Sequence, residues 1–163
     1  MKSFRLVGLP YEPFAPLFEL DDRRLLERGA MRITADKDFG YPCRVSLSDA
    51  GAGEELLLLH YEHLPAKSPY RASGPIFVRR GATPCALAPG TIPEYVSRRL
   101  VSLRAYDAGH MMRGAAVCGG TEVGHEIQRL LADATVAYIH LHNAGPGCFS
   151  CRVERFTSEE GND

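Results

Sequence analysis

His140 and His142, one residue apart, form the sharpest chemical signal in the sequence. On a strand, side chains at i and i+2 project from one face with Cα atoms about 6.6 Å apart, close enough to share a divalent metal ion. Cys148 and Cys151 extend the pair to H-x-H-x5-C-x2-C, and His60 is a further donor. A catalytic metal would leave one position open for water. Zinc sites ordinarily use better separated ligand pairs, so two histidines hydrogen-bonded in a pocket fit the same string. Cys148 beside an imidazole is also a candidate nucleophile. As a dithiol, Cys148-Phe149-Ser150-Cys151 lacks the following helix that helps lower the thiol pKa in redox motifs, because strand-like CRVERF comes next. His60-Tyr61-Glu62-His63 is a poor ligand pair, since strand residues three apart face opposite ways; His60 joins the polar faces and His63 falls at the loop entrance.

A second set of residues suits an anionic or planar ligand. Strand parity puts Arg44 and Ser46, then Phe77 and Arg79, then Ser102, Arg104 and Tyr106, then Tyr138, His140 and His142 on polar rows. A merely solvated face usually carries Lys, Glu and Thr; planar donors, aromatic walls and titratable imidazoles are a different selection. Arg44, Arg79, Arg104, Tyr106 and Asn143 are therefore the candidate ligand-binding residues, with His140, His142 and Cys148 as candidate catalytic groups. The same arginines would serve equally well paired with carboxylates, and the tyrosines as half-buried packing residues.

These rows presuppose strands. Phe4–Leu9, Met31–Ala35, Cys43–Leu47, Leu56–Tyr61, Pro75–Arg79, Leu100–Tyr106, His110–Cys118, Val136–His142 and Cys151–Phe156 are apolar or alternating runs between Gly, Pro, Ser and Asp clusters. The apolar rows Cys43/Val45/Leu47, Ile76/Val78, Val101/Leu103/Ala105 and Ala137/Ile139/Leu141 should face helices. Val123, Ile127, Leu130 and Leu131 recur at helical spacing over Thr121–Leu131. A short helix follows a cap at Asp21 or Asp22 and ends at Gly29, and Pro93 opens a helical turn. Strands outnumber helices without alternating regularly with them. The expected fold is α+β, a single domain over residues 1–156 with a mainly antiparallel sheet and two or three helices, followed by a polar C-terminal tail, 157–163.

The whole chain limits the functions available. At 163 residues it can bury a core without a metal or disulfide staple. A net charge of -1 provides no basic field for nucleic acid, and no basic helix or aromatic-basic RNA motif is present. The first residues lack an apolar signal region, no run reaches the roughly 18 apolar residues of a membrane helix, and five scattered cysteines suit a reducing compartment. The expectation is a soluble cytoplasmic protein that binds neither membrane nor nucleic acid.

PCRVSLSDA (42–50), ELLLLHYEH (55–63), SPYRASGPIFVR (68–79), SLRAYDAGHMM (102–112) and VAYIHLHNAGPGCF (136–149) together resemble a bacterial family of short proteins known only as a domain of unknown function, number twelve hundred and three. The resemblance covers nearly the whole chain and implies no activity. The family pattern includes H-x-H-N and P-G-C-F, matched by His140, His142, Asn143, Pro146, Gly147, Cys148 and Phe149; Cys151 stands outside it. Three readings stay open. The first is a small-molecule-binding protein or enzyme with an anionic ligand in a pocket lined by Arg, His and Tyr. The second is a non-catalytic interaction module, most simply a homodimer. The third is an enzyme whose cofactor is a divalent metal on His140 and His142, although the wider cupin and histidine-triad motifs are missing.

Overall fold

The computed structural model describes residues 3–157. In chain order the elements are β1 (Ser3–Val7), α1 (Asp22–Glu27), β2 (Ala30–Thr34), β3 (Pro42–Cys43), β4 (Ser48–Asp49), β5 (Glu55–Leu64), β6 (Ala72–Arg79), α2 (Glu94–Ser97), β7 (Leu100–Tyr106), β8 (Met112–Gly119), α3 (Val123–Leu131), β9 (Tyr138–Asn143) and β10 (Phe149–Phe156). The mainly antiparallel α+β class holds, but the strands divide into two five-stranded sheets, ordered β1-β10-β9-β7-β8 and β2-β5-β6-β3-β4. Among the described residues only β3 against β6 is parallel. Most of the expected polar tail, residues 158–163, lies outside the described residues. No helix among the described residues is long and apolar enough to cross a membrane.

Each sheet buries one apolar face against its own cover. In the first sheet Val101, Leu103, Ile139, Leu141 and Val153 pack on Val123, Ile127, Leu130 and Leu131 of α3, which is the face that helical spacing predicts. In the second, Leu57, Leu59, Ile76 and Val78 pack on Phe14, Phe18 and Leu25 of the proline-rich N-terminal segment and α1. Asp21 caps α1 by accepting the Arg24 N–H at 2.9 Å, and Gly29 ends the segment at φ 67°.

The expected strand Cys43–Leu47 does not form. Strand β3 stops at Cys43, and the chain turns so that the Leu47 N–H donates to the Cys43 carbonyl at 3.1 Å. Leu47 takes φ 49° and buries its side chain in the core of the first sheet, so burial across the seam outweighs β propensity here. Arg44 and Ser46 consequently share no strand face with the other polar rows. At the same place Gly8 crosses the turn: a Cβ there would lie 2.3 Å from the Val45 carbonyl oxygen, and the next residue, Leu9, donates its N–H to Arg44 O at 2.8 Å. Strand β8 starts at Met112 rather than His110, because Asp107–His110 is a turn with His110 at φ 63°.

Candidate functional site

A cleft of about 570 Å³ opens between the sheets. Leu58, Pro75 and Phe77 form its wall on the second sheet, Leu100 and Pro146 its wall on the first, and Arg44, Arg99, Asn143 and Cys148 are its polar groups. The loop carrying Cys148 is a tight connection in which Gly147 N–H donates to Asn143 O at 2.7 Å and Asn143 N–H to Cys148 O at 2.9 Å. Gly147, at φ 81°, supplies the left-handed backbone this turn requires.

Arg44 is 1 % exposed. Its Nε donates to Phe149 O at 2.7 Å, Nη1 to Pro42 O at 2.5 Å and Nη2 to Cys148 Sγ at 3.1 Å. A guanidinium has five N–H groups, so three bonds leave two without a protein acceptor among the described residues. No carboxylate of the described residues lies within ion-pair distance, whereas Arg99, at the same cleft, pairs with Asp49. A cation taken out of water without a counter-charge is a costly arrangement. Asn143 adds a longer contact, Nδ2 to Cys148 Sγ at 3.6 Å.

Beside the cleft, the polar face of the first sheet is an interior wall. Arg104 and Arg152 flank His140 on the neighbouring strands, Ser102 pairs with His142, and Tyr106 with Tyr138. His140 and His142 are 2 % and 1 % exposed. A third imidazole reaches them from the second sheet: His63 lies 6.0 Å from the His140 ring and 5.0 Å from the His142 ring, centroid to centroid. Phe149 sits among the three, stacked on His63 at 5.1 Å and meeting His140 and His142 edge-on at 5.0 and 5.9 Å. The Tyr138 hydroxyl meets His110 Nδ1 at 2.8 Å.

Burial holds all three imidazoles neutral. Desolvation is the main cause in each, bringing His63 down to about 4, with the Arg104 charge adding to it. His140 falls to about 3, helped by His63, His142, Arg152 and Arg104. His142 falls to about 4 through desolvation, the Gly147 carbonyl opposing the shift and Arg104, His63 and Arg44 reinforcing it. His142 Nδ1 lies 3.0 Å from Gly147 O; a proton on Nδ1 for that bond leaves Nε2 with a free lone pair, and Nε2 has no partner. His140 Nδ1 and His63 Nδ1 are likewise buried without partners.

The expected site residues thus sort into neighbouring groups. Arg44, Asn143 and Cys148 meet at the cleft, while Arg104, Tyr106, His140 and His142 line the imidazole chamber. Arg79 belongs to neither, its Nη1 pairing with Glu54 at 3.5 Å. The four-ligand H-x-H-x5-C-x2-C set does not assemble. A bulge at Ser150 places Phe149 opposite His142 and Cys151 opposite Leu141, so Cys151 enters the apolar core while Cys148 faces the cleft. His60 is exposed and His63 is the inward residue, the reverse of the expected assignment. The register shift between Tyr61 and Leu64 accompanies that change, and a bulge leaves no mark in hydrophobic periodicity. Among the described residues no group of three or more His, Cys, Asp or Glu side chains is arranged to hold a metal ion. Strand parity and motif spacing do not point to His63, Phe149, Arg99 or Arg152 as site residues. The H-x-x-H string contains His63, but the loop entrance expected for it is part of the strand, because β5 runs on to Leu64.

The profile of a family described as protein of unknown function (DUF1203) matches residues 40–155, which include every cleft and chamber residue described above. No curated protein and no solved structure matches the chain.

Proposed function

The chain belongs to the DUF1203 family, proteins of unknown function, so its role must be read from its own side chains, and we propose that it binds a small molecule bearing a carboxylate or phosphate group in the inter-sheet cleft. The observation that carries this reading is Arg44, a buried guanidinium on the cleft wall with two unused N–H groups and no carboxylate partner among the described residues. An anion is the ligand that compensates such a charge, and the planar donor fork suits carboxylate or phosphate. The apolar walls from Leu58, Phe77 and Leu100 would hold the rest of the molecule. Five cysteines without a disulfide favour a reducing compartment, consistent with the cytoplasm.

Metal binding at His140 and His142 has less behind it, since their rings surround Phe149 and arginines flank them. The dimer reading has no single observation behind it; the exposed large apolar side chains come from several elements, α1, β2, β7, β8 and intervening turns. The test of the anion reading is thermal unfolding with inorganic phosphate and succinate, each at constant ionic strength. At 100 times Kd a ligand specific for the native state stabilises it by about 2.7 kcal/mol. Stabilisation is expected in the wild type and absent in Arg44→Met; should that variant not fold, Asn143→Ala is expected to weaken the effect. Equal stabilisation by chloride, or none by either anion, sinks the reading.

A further inference from the structure

The five thiols of the chain have different surroundings. Cys43 and Cys151 are buried in the apolar layers, and burial pushes the Cys151 thiol up to about 12. Cys85 is raised mainly by burial, and Cys118 by burial with Glu126 and Glu122 adding to it. Cys148 alone faces the cleft, half-buried, with the Arg44 guanidinium donating to its sulfur at 3.1 Å and the Asn143 amide at 3.6 Å. Donors aimed at a sulfur from a charged group and an amide suit one that carries negative charge as it attacks. The same guanidinium has N–H groups left for an anionic group on the electrophile, which would place substrate charge and nucleophile side by side.

We propose that Cys148 is a nucleophile acting on small electrophiles that carry a carboxylate or phosphate close to the reacting carbon. This inference rests on the anion reading of the cleft. In the step, a Cys148 Sγ–carbon bond forms as the carbon–leaving-group bond breaks; the leaving group departs with that bond's electron pair, and the thiol proton passes to water in the open cleft. Arg44 binds the substrate's anionic group and holds the sulfur, so it contributes to both binding and attack.

The test compares iodoacetate with its neutral counterpart iodoacetamide on the full chain at pH 7.5, with each labelled cysteine located by peptide mass mapping. In this reaction Sγ displaces iodide. Cys148 is expected to be alkylated first, with an iodoacetate-to-iodoacetamide rate ratio at least about tenfold above the ratio for free cysteine, and inorganic phosphate should slow the reaction with iodoacetate by competition. Preferential labelling of Cys85 or Cys118, or a ratio at Cys148 equal to that of free cysteine, overturns the proposal. Phosphate binding to Cys148→Ser, followed by calorimetry, separates the two ideas. Binding retained there beside an inert Cys148 in the wild type rejects the nucleophile alone, whereas no binding in either protein, beside an inert Cys148, rejects the anion site as well.

Discussion

Arg44 combines structural and ligand-facing roles in one side chain, and substitution should reveal both. Its Nη1 and Nε satisfy the carbonyls of Pro42 on the second sheet and Phe149 on the first, so Arg44→Met leaves two carbonyls without those donors. Each unpaired buried group costs about 1–3 kcal/mol, while removing an uncompensated cation returns part of that. A net destabilisation of about 1–4 kcal/mol is expected in urea unfolding; a variant as stable as the wild type would mean the guanidinium holds nothing together. The imidazoles make a different prediction. His63, His140 and His142 have native pKa values below the ordinary 6.5, at about 4, 3 and 4, so between those values and 6.5 the unfolded chain binds protons the native state refuses. The stability they confer is complete above pH 6.5 and is lost as pH falls from there toward 4, at up to about 1.4 kcal/mol per pH unit for each well-buried imidazole. Melting temperatures measured from pH 7.5 to 4.5 should therefore drop, and His140→Phe should flatten the slope. A wild-type curve level over that range would mean the chamber readily hydrates or protonates.

The elements most legible in the sequence were those whose neighbours repeat one period. Strand β7 occupies the expected Leu100–Tyr106, and α3 buries the expected Val123, Ile127, Leu130 and Leu131. Parity also placed Arg104, Tyr106, His140 and His142 on one face. What escaped was set by single-residue irregularities: the extra residue at Ser150 that turns Cys151 from the His142 face into the core, the shift between Tyr61 and Leu64 where His63 turns inward, and the turn at Arg44–Leu47. None changes the composition of its segment, so their signal lies in long-range pairing alone. Assignment to two sheets was hidden for the same reason. The Arg44 turn depends on Gly8, whose position admits no side chain because the Val45 carbonyl occupies that space. Gly8→Ala must push β1 away from the Arg44–Val45 backbone. The expected cost is about 1–3 kcal/mol, together with weaker anion binding, because Arg44 moves with Val45. An equally stable variant with unchanged phosphate binding would show that the turn shifts freely.

At the scale of the molecule, the cleft lies on the seam between two separately covered sheets, and a few polar contacts cross it. Arg44 joins the β3–β4 turn to Phe149 and Cys148, while Arg99, just before β7, pairs with Asp49 on β4. The Tyr106 and Tyr138 rings of the first sheet close the far end of the seam against Leu64 of the second. An anion seated on Arg44 would add a contact between the cleft walls, so its binding energy would oppose separation of the sheets as well as occupy a pocket. Hydrogen exchange distinguishes these cases. With saturating phosphate, amides of residues 42–49 and 143–149 should slow together and by similar factors, because one opening motion exposes both. A ligand that merely filled a rigid pocket would protect only amides it touches, and slowing confined to 143–149 would show that the two sheets do not share the site.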